Sequence, residues 1–198
     1  MILPLILASS SPARQQVMRQ AQLSFSCITP DLDETARPDE GPSTLVSRLS
    51  LEKAQAIAQK IDSSALIIGS DQVAYFEGEI LGKPHQVERQ ATWLRAFSGK
   101  ALTYYSGITL LDTAQGVSKT EVITTTATFR TLTEEDISAY VQHADALSCA
   151  GGLKVEGLGI LLMSELSAGD PTAIIGLSLI TVSRLMRTLN HNIWSYVG

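Results

Sequence analysis

A chain of 198 residues in which 44% of side chains are hydrophobic and 18% charged has the apolar material for one folded domain with a substantial core, or for two small lobes sharing a cleft, and is not a disordered composition. A formal net charge of -5 excludes the broad basic face that a nucleic-acid groove needs, but leaves room for a small anion held by a few convergent cations or a divalent metal. Cys27 and Cys149 are too few for a zinc cluster or a disulfide framework, the apolar start 1–8 lacks the basic lead of a signal peptide, and no apolar run has bilayer length. The expectation is a cytoplasmic protein with neither nucleic acid nor membrane as partner.

Residues 2–8 read as a first strand, with Pro4 tolerable near its start. Ser9-Ser10-Ser11-Pro12 is a helix opening, because hydroxyls accept from the free N–H groups of a first turn and Pro suits the first helical position. The helix runs to about Gln20. Arg14 falls in its first turn, where the helix dipole disfavours a cation, so either an anion sits over this N-terminus or a nearby carboxylate pairs with it. Residues 23–29 suggest a second strand, and 30–42 form an acidic, proline-containing loop. Asp39 and Glu40 read as solvated, whereas Asp33 or Glu34 is a candidate to reach a metal or a positive cluster.

Residues 43–61 are the clearest helix, with Ser43 as N-cap and Val46, Leu49, Ile57 and Ile61 on one side. Lys53 lies in the middle of that apolar side. Its ammonium either snorkels along the core or emerges beside the sheet.

The stretch 66–84 is the most informative. Leu66-Ile67-Ile68 reads as a buried strand that delivers Asp71 at its end, residues 73–76 and 79–81 flank Gly78 like a hairpin, and Gly82-Lys83-Pro84 closes the unit with a cation beside a turn. A helix over 86–97 places Ala91, Leu94 and Phe97 inward, and residues 102–111 and 117–129 form a long β ribbon. Thr133 caps another helix, of structural role. Around Lys154 and Glu156 the many glycines of 146–160 fit a backbone that approaches a ligand, or an irregular turn into a strand at 160–162. A helix over 180–189 closes the fold, and the chain is expected to fray from Asn190.

Arg14, Glu34, Lys53, Asp71, Lys83, Lys154 and Glu156 thus stand at the edges of strands, turns and helices. Carboxylates hold a hard cation through oxygen, cations neutralise phosphate oxygens, and one carboxylate can activate water, so the set suits phosphoryl chemistry. It would equally suit a salt-bridge network, and spacing alone does not separate the two.

The segments LILASSSPARQ (5–15), PDLDE (30–34), LEKA (51–54), IIGSDQV (67–73), GEILGKP (78–84), SGK (98–100), CAGGLKVEGLGI (149–160) and GDPTAIIGLSLI (169–180) together resemble the Maf-like nucleoside triphosphate pyrophosphatases. The resemblance covers nearly the whole chain. It implies a single Maf-like catalytic domain over 1–198, an α/β fold of the Maf/inosine triphosphatase type with a mixed twisted sheet, flanking helices and two lobes around a nucleotide cleft. It implies hydrolysis between the α- and β-phosphates of a nucleotide, a divalent cofactor such as Mg²⁺ or Mn²⁺, and a possible homodimer. By the same resemblance Asp71 is the general base or a metal ligand, Glu34 an acidic metal-site residue, and Ser9, Arg14, Lys53, Lys83 and Lys154 phosphate contacts.

Within the family, GSDQ and KVEG resemble the branch acting on 7-methyl-GTP, with Gln72 and Glu156 as specificity positions, while dTTP/UTP hydrolysis or nucleotide binding without turnover are the alternatives. A carboxylate at Glu156 accepts from the paired N–H groups of a guanine edge, which thymine does not offer. Ala13 departs from the branch, whose members can carry a Trp there to stack on the cationic base. Gly152-Leu153 also departs, where a small residue followed by an aromatic is more usual, as does Ser178 in place of a common Pro.

Overall fold

The computed structural model describes residues 2–198. In chain order the strands are β1 (Leu5–Ala8), β2 (Ser26–Ile28), β3 (Leu66–Phe76), β4 (Glu79–Leu81), β5 (Ala101–Asp112), β6 (Val117–Phe129) and β7 (Met163–Ala168). The helices are α1 (Pro12–Gln20), α2 (Pro42–Ala58), α3 (Val87–Phe97), α4 (Glu134–His143) and α5 (Leu179–Thr188). Hydrogen bonding joins the strands in the order β2-β1-β3-β5-β6-β7, with β4 on β3. The sheet is mixed, as the sequence predicts: β1 runs parallel to β2 and β3, while β4 is antiparallel to β3 and β7 to β6. The chain divides into two compact units, one comprising the chain up to Asp71 with 106–123 and everything from Asp170 on, the other 72–105 with 124–169.

In the first unit the alternation of side chains along β1 and β3 feeds two separate cores. Leu5, Leu7, Leu66 and Ile68 join Val17 and Met18 of α1 and Val182, Leu185 and Met186 of α5. Ile6, Ala8 and Ile67 instead meet Ala54 and Ile57 of α2. Strands covered on both faces explain why both read as unbroken apolar runs. Helix α2 lies against the strands at backbone distance: a Cβ on Gly69 would stand 2.0 Å from the Ser50 carbonyl oxygen, and one on Gly107 2.1 Å from that of Val46. Only glycine admits that approach.

In the second unit β3 and β4 form the expected hairpin, turning through Glu77 (φ 47°) and Gly78 (φ 94°), the left-handed pair that a two-residue type I′ turn demands. Phe76, Phe97 and Phe129 stack in series, with centroids 4.9 and 5.3 Å apart. Helix α4 opens on a capping box in which the Thr133 hydroxyl and the Asp136 carboxylate each accept from the other's backbone N–H.

Several expectations are corrected. Of the strand expected over 23–29, only Ser26–Ile28 pairs with β1. The N-cap of α2 is Gly41 rather than Ser43, because Pro42 occupies the first helical position, where its missing N–H costs nothing; the helix ends at Ala58. Strand β3 continues through Asp71 to Phe76, so the carboxylate sits mid-strand and not at a strand end. Pairing with β1 ends at Gly69 and pairing with β4 begins at Ala74. The apolar run Leu158–Leu162 is a 3₁₀ turn, with the strand starting at Met163. The tail does not fray: Ile193–Tyr196 form a 3₁₀ turn, Tyr196 is buried, its hydroxyl donates to the Leu3 carbonyl at 2.9 Å, and Val197 bridges to Leu23. Among the described residues no helix is long and apolar enough to cross a membrane.

Candidate active site

Lys53 places a buried ammonium in the first unit. Lys53, on the apolar side of α2, is 5% exposed, and its Nζ donates to Asp71 Oδ1 at 2.6 Å and stands 2.9 Å from Glu34 Oε1. Asp71 is likewise 5% exposed, whereas Glu34 reaches in from an exposed loop. Burying such a pair costs desolvation energy that the attraction repays only in good geometry, so the pair is weak evidence for stability and directs attention to function.

Arg14 completes this group from α1. Ser11 caps the helix, its hydroxyl accepting from the Arg14 N–H at 3.4 Å, and Ser9 Oγ accepts from the Ser11 N–H at 3.1 Å. The half-buried Arg14 guanidinium donates through Nη1 to the Ser70 carbonyl at 2.8 Å, which aims it at the strand position preceding Asp71. Burial lowers its pKa, Asp71 and Glu34 pull the other way, and a guanidinium in either case remains charged. Ser70 is fixed in turn, its hydroxyl donating to the Gly176 carbonyl at 2.5 Å. The unit therefore gathers Arg14, Glu34, Lys53 and Asp71, with Ser9 and Ala13 at the α1 end of the group.

The loop that supplies Glu34 is held by contacts the sequence reading missed. Asp33 Oδ1 accepts from both the N–H and the hydroxyl of Thr35, at 2.9 and 2.6 Å. Glu40, expected to be solvated, has its side chain 5% exposed and pairs with Arg48 at 2.6 Å. Hydrogen bonds from Arg48 and then from the Arg37 N–H hold the Glu40 carboxyl down at about 2, and Glu40 raises Arg48. Arg48 and Glu52, an i,i+4 pair on the polar side of α2, were the available signal.

The second unit carries the remaining candidates. Lys83 and Glu156 are exposed, and Gln72 and Lys154 half-buried. Backbone bonds from Gly151 N–H to the Gly82 carbonyl and from His85 N–H to that of Leu147 tie the Lys83 turn to the glycine-rich segment. The carbonyl of Lys154 accepts from the N–H groups of Gly157 and Gly159 at 3.1 and 3.0 Å, which puts Glu156 in a closed turn. Tyr140 holds that turn from α4, its hydroxyl accepting from the Lys154 N–H at 2.9 Å. From α3, Gln90 Nε2 donates to the Gly152 carbonyl at 2.8 Å. Gln90 is fully buried in the stripe where Ala91 was expected inward. Cys149 lies in the field of Glu156, Lys154 and Lys83; its thiol is pushed up, first by burial and then by Glu156.

Among the described residues no three His, Cys, Asp or Glu side chains assemble into a metal cage. Glu34 and Asp71 converge on the same ammonium, however, and two carboxylates are what Mg²⁺ takes from a protein when phosphate oxygens and water complete its shell. The donor set fits an ion of that kind.

Fold and site together define a mixed α/β protein with a compact group of carboxylates and cations suited to phosphoryl chemistry. The chain belongs to the Maf family: the family described as Maf-like protein matches residues 4–189. A protein from Pseudoalteromonas translucida named 7-methyl-GTP pyrophosphatase is 46% identical over 183 residues, covering 92% of this chain and 90% of its own. Proteins with the same name from Colwellia psychrerythraea and Nitrosococcus oceani are 42% and 44% identical, each covering 92% of this chain and 91% of its own. A solved HAM1 protein from Coxiella burnetii shares 17% identity, with a TM-score of 0.42 over 65% of this chain and 73% of its own, a likeness too low to carry weight.

Proposed function

We propose that the chain is a nucleoside triphosphate pyrophosphatase that hydrolyses the bond between the α- and β-phosphates, releasing the monophosphate and pyrophosphate, with 7-methyl-GTP as preferred substrate. Membership of the Maf family and the shared name of relatives at 42–46% identity support this reading. The observation that carries it is the buried Lys53 ammonium held between Asp71 and Glu34 with Arg14 beside them. A cluster of this kind is costly to bury and is placed to stabilise charge that develops next to it.

Asp71 accepts the proton of the attacking water, and Lys53 fixes the orientation of its carboxylate. An ammonium has three N–H donors; two face the carboxylates, and the third serves a phosphate oxygen. Arg14, Ser9 and the start of α1 receive further phosphate oxygens, the helix end offering its positive dipole although Pro12 has no N–H and Ser11 caps that of Arg14. Lys83 and Lys154 are assigned to the phosphates by the family resemblance, and Gln72 and Glu156 to the base. A Mg²⁺ or Mn²⁺ ion would be held by Glu34 and Asp71 and would supply neutralisation of phosphate charge.

The test is release of pyrophosphate from 7-methyl-GTP, GTP, dTTP, UTP and ATP in the presence of Mg²⁺. Fastest release from 7-methyl-GTP is expected. Preference for dTTP or UTP would retain the chemistry and overturn the base assignment, and no release from any nucleotide would remove the enzyme reading.

A further inference from the structure

Arg48 grips the loop that carries Glu34 at two places. Its Nε donates to Glu40 Oε1 at 2.7 Å and its Nη2 to Glu40 Oε2 at 2.6 Å, a fork on one carboxylate. Nη2 also donates to the carbonyl of Thr35, the residue after Glu34, at 3.2 Å. Nη1 donates to Glu52 Oε2 at 2.9 Å. Glu40 Oε2 accepts in addition from the Arg37 N–H, and Arg37 Nη2 donates to Glu52 Oε1, both at 2.9 Å. Residues 35–40 are thereby closed into a ring and fastened to α2, the helix that bears Lys53. The loop is almost wholly exposed and has no apolar core to order it, so its conformation depends on these polar contacts.

We propose that Arg48 is a positioning residue for Glu34: by fixing residues 35–40 on α2 it holds the Glu34 carboxylate against the Lys53 ammonium that also binds Asp71. The proposal rests on the pyrophosphatase reading for its catalytic consequence, but not for its structural one. A fork of this type is specific to Arg, because Lys offers a point charge and cannot span both oxygens and a carbonyl.

A double-mutant cycle tests it, using wild type, Arg48→Ala, Glu34→Gln and the double variant, with Mg²⁺-dependent pyrophosphate release from 7-methyl-GTP and hydrogen exchange of residues 35–40 as readouts. Arg48→Ala is expected to lower kcat/KM roughly 10–100-fold, the usual cost of losing an outer-shell partner. Once Glu34 is already Gln, the same change should cost less than about twofold, because both changes act through one carboxylate and their effects do not add. Exchange of 35–40 should quicken in Arg48→Ala while β1 and β3 keep their protection, and Arg48→Lys should fall between. Equal losses in both backgrounds, or a folded Arg48→Ala with unchanged kcat/KM and unchanged exchange, would overturn the proposal. If Arg48→Ala does not fold, Glu40→Gln takes its place with the same expectations. A wild type without turnover would remove the functional reading, and exchange at 35–40 would then decide the positioning claim alone.

Discussion

Lys53 Nζ and Asp71 Oδ1 stand 2.6 Å apart at the centre of the first unit, joining the middle of α2 to the middle of β3 with both residues almost fully buried. Neither residue has a packing reason to be charged. Lys53→Met should therefore cost about 3–5 kcal/mol, since it strands a buried carboxylate without its cation. The double change Lys53→Met/Asp71→Leu should regain most of that loss in urea unfolding, while releasing no pyrophosphate. A double variant no more stable than Lys53→Met would show that the pair itself contributes to folding.

The residues that announced themselves in the sequence were those whose local rules conflicted with their type. Lys53 stands on an apolar stripe, Arg14 on the wrong end of a helix dipole, and Asp71 where an apolar run gives way to polar residues; each lies in the group around the Lys53 ammonium. Elements bounded by strong local signals were equally legible, as with Pro12–Gln20 behind its Ser11 cap and Glu134–His143 behind Thr133. What escaped depended on distant partners. Gln90 is buried because the Gly152 carbonyl receives its amide, and Glu40 is shielded because Arg48 folds over it. The partner of Gln90 is not visible from the neighbouring sequence, and that of Glu40 is signalled only by the charge of Arg48 on the polar side of α2. The residues 160–162 expected as a strand lie in the 3₁₀ turn Leu158–Leu162, because a short apolar stretch has no periodicity to separate a strand from a tight turn. The tail was misread because Tyr196 finds Leu3 across the whole length of the chain.

Glu40 gives the account a pH signature. Its carboxyl is held down at about 2 in the folded chain against an ordinary 4.5, by Arg48 first and the Arg37 N–H second. A folded value below the unfolded one means stabilisation that is fully present above the ordinary value and lost as the pH falls towards the folded one. The difference in unfolding free energy between wild type and Glu40→Gln should thus be greatest near neutrality, shrink below 4.5 and vanish near 2. Unfolding titrations across that window check it, and a difference independent of pH would contradict it.

Glu156 is exposed in the turn closed onto the Lys154 carbonyl, and it is the residue we propose as the reader of the base. Glu156→Gln keeps the length and removes the charge. It should reduce the preference for 7-methyl-GTP over dTTP by roughly 10–100-fold, the equivalent of one charged hydrogen bond of about 1.5–3 kcal/mol. The rate on the best substrate should change less than the ratio. An unaltered ratio would place base recognition elsewhere.

The most direct measurement is pyrophosphate release from 7-methyl-GTP by wild type and Asp71→Asn, both shown folded by their thermal unfolding. If Asp71 takes the proton from water at the end of the Lys53 ammonium, Asp71→Asn should lower kcat by roughly 10²–10⁴, the contribution of a positioned acid–base group. KM should move far less. An Asp71→Asn protein that turns over at the wild-type rate would contradict the account.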